Sequence, residues 1–585
     1  MKPRPILIIT LLFLTGLART NASEDQTVVE WIRAHAVPLK TVEAGHGFSD
    51  MEPLKSIVGD ARIVSLGEAT HGTREFFQLK HRMLEFLASE MGFTVFSIEA
   101  NMPEAYRLND YVLNGNGDPA KLLKGMYFWT WDTEEVLDMI RWMREFNKSG
   151  KGHIEFTGFD MQTPDVAVQN VREFIAKNDA AYLDSLAHAS DLVRSISRSD
   201  EGQSFGVATA TFPVKDAAGK KIRFSGYIKT QAVTNGWAGL WWRVDGSSGV
   251  LAFDNMQDRG ATGTTDWKRY EINLAVASDA KNINFGAILT GDGTAWFDDL
   301  KVELDGVTYT NANNLDLDFE GPTPKGFYTG GNGYRVQLDS QLFHGGKQSL
   351  QMKKTEMAPV ASKWDDAAIA AASWKNVVAH IETARSSYLG KGVSAKDVDW
   401  TEQNARIVLQ GMQMKSGEVS RDYSMATNIK WIADHSPGAK IVVWAHNGHV
   451  STNTARGFGA MGASLRSMFR SEMVVFGFAF NQGSFQAVES GKGLRNFTVP
   501  PGPIEGLDST LAASGIPVFA LDLRRAPKDG PVADWLNEPH ATRGIGAEYS
   551  ENSPGSYFAN LKVADCYDAI LFVEKTTAAH KNPGR

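Results

Sequence analysis

The chain has 585 residues, of which 43% are hydrophobic and 22% charged, a globular balance that excludes wholesale disorder, coiled coil and collagen and is long enough for more than one packed domain. The formal net charge is -8, a poor surface for gathering polyphosphate, so nucleic acid is not an expected partner. Cys566 is the only cysteine, which leaves no intramolecular disulfide and no thiolate metal cluster to expect.

Met1 to Ala22 joins a basic start (Lys2, Arg4), an apolar run from Ile6 to Ala18 and a small-residue exit at Thr20-Asn21-Ala22, the pattern of an export signal. The apolar run is shorter than the roughly 20 residues that span a bilayer. No stable membrane anchor is therefore expected, and the mature protein is expected to be periplasmic or secreted. Short apolar runs ending in polar residues follow at Ala61–Leu66, Phe93–Ile98, Ile154–Phe159, Lys440–Trp444, Met473–Phe480, Pro517–Leu523 and Tyr567–Val573; they read as buried strands. Between them, Phe76–Glu90, Thr133–Phe146 and Asp422–Ala433 carry apolar residues at helical spacing. Strand alternating with helix predicts an α/β fold with a mostly parallel sheet flanked by helices.

From Gly202 to about Met352 the texture changes to short alternating runs with frequent Gly, Asn and Asp, which predicts an all-β sandwich. Helical patterning resumes near Ala361. The expected organisation is a signal peptide at 1–22, a first α/β part at 23–201, an inserted sandwich at 202–355 and a second α/β part at 356–585. The insert resembles jelly-roll carbohydrate-binding modules. Leu317-Asp318-Phe319-Glu320 with His344-Gly345-Gly346-Lys347-Gln348-Ser349-Leu350 looks like the opening of such a module, and Trp296-Phe297-Asp298-Asp299-Leu300-Lys301-Val302 like its close. Here the close precedes the opening, which suggests a circular permutation. Trp241, Trp242, Trp267 and Trp296 are candidates for stacking on sugar rings or for core packing, so a glycan is a candidate partner of the insert.

The predicted strands place reactive residues just past their C-terminal ends: Gly67-Glu68-Ala69-Thr70-His71-Gly72, Glu99-Ala100-Asn101, Asp160 and Ala445-His446-Asn447-Gly448-His449. In open parallel sheets the ligand crevice lies outside those ends, so the segments are expected to meet in one cleft. His71 is the candidate general base, able to take a proton from water near pH 7. Glu68 and Glu99 are candidates to orient its ring and stabilise an imidazolium. His446 and His449 are candidates to donate to a developing oxyanion, to protonate a departing alcohol, or to bind substrate. The same side chains are ligand types that zinc accepts, and the spacing leaves a metal-dependent hydrolase open. There is no His-Glu-x-x-His, however, and no metal or other cofactor is expected. Gly202-Gln203-Ser204-Phe205-Gly206 matches a hydrolase nucleophile elbow in spelling alone, since an elbow must follow a strand and open a helix. The chain carries neither a P-loop nor a dinucleotide fingerprint.

Gly67-Glu68-Ala69-Thr70-His71-Gly72 followed by Glu75-Phe76-Phe77 and Leu79-Lys80, then Gly92-Phe93, Glu99, Tyr106-Arg107, Trp129-Thr130-Trp131, Glu135-Val136 and Gly158-Phe159-Asp160, resembles the erythromycin esterase family. After the insert the likeness continues through Arg421-Asp422, Met425-Ala426, Asn428, Ala445-His446-Asn447-Gly448-His449 and Met461-Gly462. The resemblance implies a hydrolase that opens the lactone ring of macrolide antibiotics, a small-molecule ester or lactone substrate, and hence antibiotic resistance. It implies that His71 activates water without a covalent intermediate, assisted by Glu68, Glu99, His446 and His449. Where the family usually has arginine this chain has Lys80, which keeps the charge and loses the planar fork; Arg74 is the nearby alternative. Arg74, Lys80, Trp129, Trp131 and Arg421 are the expected substrate contacts, with ordinary core packing the alternative for Trp129 and Trp131. The family also includes proteins of exopolysaccharide synthesis, so a polysaccharide-binding surface protein with little esterase activity is the alternative reading.

Overall fold

The computed structural model describes residues 26–582 apart from 201–204, 247–248, 258, 311–314, 332, 356–362, 454–458 and 490–492. Met1–Ala22, expected to be an export signal, and Gly202-Gln203-Ser204 lie outside the described residues. The chain forms two compact units, one comprising residues up to Ser190 and from Ala367 onward, the other Asp191–Asp366.

The first unit is built on a nine-stranded sheet. Its strands are β1 (Val37–Pro38), β2 (Ile63–Leu66), β3 (Val95–Asn101), β4 (Glu155–Asp160), β5 (Ile441–Trp444), β6 (Met473–Glu489), β7 (Gly493–Val499), β8 (Val518–Asp522) and β9 (Ala569–Thr576). The order is β1-β8-β9-β6-β2-β5-β3-β4, with β7 on β6. From β9 to β4 every pairing is parallel; β1, β7 and β8 pair antiparallel. Flanking helices include α1 (Arg74–Met91), α2 (Met102–Asn114), α3 (Glu134–Lys148), α4 (Ala395–Lys415), α5 (Arg421–His435) and the one-turn α6 (Asn447–Val450). This is the α/β architecture expected from the alternating runs. The central strands β2, β3 and β5 are buried along their whole length, as strands covered on both faces must be. No described helix is long and apolar enough to cross a membrane.

Local chemistry sets the helix ends near the candidate residues. The side chains of Thr133 and Ser420 accept from the amides of Val136 and Tyr423, capping α3 and α5. Gly92, at φ 72°, closes α1 in the left-handed region that other residues avoid. β5 feeds α6 through Asn447, whose amide is clamped on β6: Oδ1 accepts from the Phe478 amide at 3.0 Å and Nδ2 donates to the Phe478 carbonyl at 2.7 Å.

The second unit is an all-antiparallel β region of ten described strands. Lys221–Gly246 is its longest strand. The register breaks between Thr230 and Ala238, where Ala232 and Asn235 have positive φ, and beyond the break the strand pairs mainly with Asn282–Thr290 and Gly249–Asp254. Trp296 and Phe297 lie opposite Gln351 and Leu350, so the stretches that look like the close and the opening of a module are neighbours in the sheet. Trp242 and Trp296 are buried, whereas Trp241 and Trp267 are half-buried. Phe205–Thr211 is a strand and Leu183–Asp200 before it a helix, the reverse of the order a nucleophile elbow requires.

The turn after β2 has no room for a side chain at Gly67, where a Cβ would stand 2.2 Å from Asn447 Oδ1 and 3.1 Å from the Phe476 carbonyl. Gly67→Ala is expected to unseat the Asn447 clamp and to cost about 1–3 kcal/mol, the usual range for overpacking. Urea unfolding followed by tryptophan fluorescence checks this; a wild-type midpoint would contradict it.

Candidate active site

The loop from β2 into α1 carries Glu68 and His71. Glu68 is completely buried, and its carboxylate is fully engaged: Oε1 accepts from His71 Nδ1 at 2.7 Å, while Oε2 accepts from Lys80 Nζ at 2.6 Å and Trp444 Nε1 at 2.8 Å. Burial pushes its pKa up, but Lys80 and His71 outweigh burial and hold it below the ordinary value. Lys80 is equally buried; burial pulls its ammonium down to about 8 against the attraction of Glu68. Because a carboxylate only accepts, the His71 proton sits on Nδ1 and the Nε2 lone pair is left facing outward from the pair. His71 is 9% exposed. The Trp131 ring lies edge-on to it at 5.9 Å, and the His446 ring lies 5.0 Å away.

A second charged group adjoins the first, because β5 lies between β2 and β3. Glu99 Oε2 accepts from the His446 amide at 2.9 Å, and Glu99 Oε1 accepts from Arg421 Nη2 at 2.8 Å. Arg421 also donates to both oxygens of Asp160, at 3.1 and 2.7 Å. Burial works against the Glu99 charge, yet His449 and Arg421 outweigh it and hold this carboxyl far below the usual carboxylate range.

The two remaining histidines are held in different ways. His446 Nδ1 accepts from the Gly448 amide at 3.1 Å, so Nε2 carries the proton and donates to the Ile545 carbonyl at 3.2 Å. Burial, then the neighbouring His71 and His449, pull its pKa down to about 3, so it is neutral at physiological pH. His449 Nδ1 donates to Asp422 at 2.9 Å, and its Nε2 lies 3.1 Å from Arg421 Nη1 and 3.4 Å from Glu99 Oε1. Burial pulls its pKa down, but Glu99 and Asp422 outweigh that and raise it.

His71, Glu68, Glu99, His446 and His449 thus lie in one cluster at the C-terminal ends of β2, β3 and β5, and Arg421 joins it from the first turn of α5. The expected substrate contacts fare unevenly. Lys80 and Trp131 lie beneath the cluster at 0% and 1% exposure; α1 is buried along most of its length, and Trp131 Nε1 donates to the Glu99 carbonyl at 2.9 Å. Both are supports with no open surface for a substrate. Arg421 has its guanidinium nitrogens turned to Asp160, Glu99 and His449, which makes it a positioning group as well. Arg74 points to Glu135 at 3.8 Å, and among the described residues no hydrogen bond or ion pair joins it to the cluster. Trp129 is half-buried. Trp444, Asp422, Asn447 and the Ile545 carbonyl were not among the expected residues. Asp422 and Asn447 belong to the Arg421-Asp422 and Ala445–His449 motifs, whereas a strand-end tryptophan and a backbone carbonyl carry no sequence signal. Among the described residues, no three His, Cys, Asp or Glu side chains are arranged to hold a metal ion.

The comparisons agree with the likeness read from the motifs. An erythromycin esterase type II of Escherichia coli is 32% identical over 168 residues, 28% of this chain and 36% of that protein. A putative hydrolase of Bacillus subtilis is 34% identical over 160 residues, 27% of this chain and 35% of its own. The matched region therefore spans about a third of these curated relatives. A crystal structure of a Bacillus cereus protein aligns over 95% of this chain and 99% of its own with a TM-score of 0.60 at 21% identity, a likeness of fold. The family model for erythromycin esterase matches residues 88–302 and 342–576, and on that span, well over half of its length, the chain belongs to the erythromycin esterase family.

Proposed function

We propose that this protein is a hydrolase of carboxylic esters or lactones in which His71 activates water directly. The observation that carries this reading is the buried Glu68–His71 pair: a carboxylate fixed by Lys80 and Trp444 holds Nδ1–H at 2.7 Å and leaves the opposite ring nitrogen, Nε2, without a hydrogen-bond partner among the described residues. Glu68 and His71 precede the first residue of the family match, so their roles rest on this geometry. Water loses a proton to Nε2 as its oxygen attacks the carbonyl carbon; the imidazolium so formed is countered by Glu68 and returns the proton to the departing alkoxide. Neutral His446, 5.0 Å away, can turn its Nε2–H from the Ile545 carbonyl to the developing oxyanion. His449, with its raised pKa, is the second proton carrier. The macrolide lactone is the substrate class that the family relatives suggest, and the leader Met1–Ala22 supports export. For a glycan on the β region, the half-buried Trp267 beside His344, with Tyr227 stacked on that histidine at 3.5 Å, is the aromatic surface available.

His71→Asn is expected to lower kcat/KM by at least about two decades, with an unchanged circular dichroism spectrum. Mass spectrometry of macrolides and simple lactones incubated with both proteins checks it: a gain of one water with wild type alone supports the proposal, and equal turnover by the variant sinks it. Activity is also expected to survive exhaustive chelation; loss on chelation with recovery on adding zinc would transfer the chemistry to a metal.

His446 supplies a pH test. Its folded pKa of about 3 lies below the ordinary 6.5, so between these values the unfolded chain binds the extra proton and acid selectively penalises the folded state. The stability advantage of wild type over His446→Asn is therefore expected to shrink as pH falls from about 7 to 5. Urea midpoints of both proteins across that range measure it, and a gap that widens with acid would show that His446 is charged when folded.

A further inference from the structure

Two glutamates of the sequence motifs, Glu75 and Glu135, take no part in the imidazole cluster, yet they stand in matched settings. Thr73 is the N-cap of α1 and Thr133 that of α3. His71 and Trp131 lie two residues before these caps, and Glu75 and Glu135 two residues after. The segment that follows β9, residues 577–582, runs across both helix starts. Thr73 lies opposite Ala578 and Thr133 opposite Lys581 in isolated antiparallel bridges. Each bridge has both of its backbone bonds. The Arg74 amide donates to the Thr577 carbonyl at 3.0 Å and the Ala579 amide to the Gly72 carbonyl at 3.0 Å; the Glu134 amide donates to the His580 carbonyl at 2.9 Å and the Asn582 amide to the Asp132 carbonyl at 3.0 Å.

Side chains anchor the same segment. Glu75 accepts from the amide and from the hydroxyl of Thr577, at 2.6 Å each. Glu135 accepts from the His580 amide at 3.2 Å and lies 3.1 Å from His580 Nδ1. Both carboxylates sit in the first turn of their helices, where the helix dipole favours negative charge. The two bridges are three residues apart, about 10 Å of extended chain, so the segment sets the separation of the two helix starts and with it that of His71 and Trp131, whose rings meet edge-on at 5.9 Å. Each side is also restrained on its own: the Gly72 carbonyl accepts from the Gln486 amide at 2.9 Å, and Trp131 Nε1 donates to the Glu99 carbonyl. Neither of those bonds spans the two loops, as residues 577–582 do.

We propose that residues 577–582 are a positioning strap for His71: through Thr73 and Thr133 they hold the Trp131 ring against the imidazole and keep it aligned on Glu68, with Glu75 and Glu135 as the anchors of the strap. The inference rests on the reading of His71 as the base that activates water. A base displaced by about 1 Å can lose on the order of a hundredfold in rate, which gives residues remote from the substrate a direct effect on turnover.

The full-length double variant Glu75→Ala/Glu135→Ala is compared with wild type by turnover of a panel of lactones and esters and by NMR of isotope-labelled histidine, with His71→Asn assigning the His71 signals. Loss of both anchors is expected to lower kcat by about tenfold or more with KM near wild type, because Trp131 has no open surface for a substrate, and to shift the His71 Cε1–H and Nδ1–H resonances. Glu75→Gln/Glu135→Gln, which keeps an acceptor oxygen at each position, is expected to fall between the two. Circular dichroism establishes that each variant is folded; if the alanine pair is not, Thr577→Val, which removes one hydroxyl bond to Glu75, is expected to show smaller changes of the same sign. The proposal is overturned if a folded variant leaves the His71 resonances in place, if kcat is unchanged, if KM rises while kcat holds, or if the glutamine pair is no better than the alanine pair. Absence of wild-type turnover across the whole panel would defeat the hydrolysis reading alone, and the His71 resonances would then decide whether the strap positions the ring.

Discussion

A carboxylate with no access to water, Glu68, is the constraint around which the first unit is organised. A buried charge is tolerated only where partners replace the lost solvent, and Glu68 has three: the His71 ring on one oxygen, the Lys80 ammonium and the Trp444 indole on the other. Those partners come from three elements, the β2–α1 loop, α1 and the end of β5, so the charge can be satisfied only when all three are docked. Lys80 shows how far this goes. It is a lysine sealed in the core, lying over the Trp444 ring at 4.2 Å and near Phe478 at 5.2 Å. A guanidinium would be larger and would present a fork; a compact ammonium meets a single carboxylate oxygen while its stem packs among aromatic rings.

Strand order explains why residues so distant in the chain meet. β5 returns from the C-terminal half and inserts between β2 and β3, bringing His446 between Glu68 and Glu99. The Asn447 clamp on Phe478 then fixes where α6 begins, and through it the directions of His446 and His449. Arg421 ties the outer side by spanning Glu99 and Asp160, which sit at the ends of the neighbouring strands β3 and β4. The meeting of these side chains is therefore a property of the parallel sheet itself, since they stand at the C-terminal ends of adjacent strands.

Much of this was legible in the sequence, and the exceptions have physical reasons. Short apolar runs ending in Glu, Asp or His marked β2 to β5, because a strand buried on both faces has a continuous apolar run and can host polar residues only at its ends. The run Met473–Phe480 marked only the first half of β6, which continues to Glu489 and pairs with β7; beyond Asn481 one face is half-buried, and the polar residues there hide the strand. Trp131 and Lys80 were legible as members of the site but not as its foundation, since residue type alone does not tell which side of a reactive group a neighbour occupies. The partner of His446, the Ile545 carbonyl, has no side-chain signature at all.

The charge balance of the cluster gives its histidines different tasks. Among the described residues, Glu68, Glu99, Asp160 and Asp422 face only Lys80 and Arg421 as basic side chains other than histidine, so the assembly has a surplus of negative charge that a proton can answer. His449 lies between Glu99 and Asp422, and there the surplus raises the affinity for a proton. His446 donates to a neutral carbonyl and is flanked by two other imidazoles, so burial and like-charge repulsion keep it uncharged. One nearby ring is thus ready to hold a proton and another to remain a neutral donor, while the His71 ring keeps one nitrogen tied to Glu68. Three identical side chains become chemically distinct through their partners, and that division is what a reaction needs when a proton must leave water, cross the site and reach a leaving group.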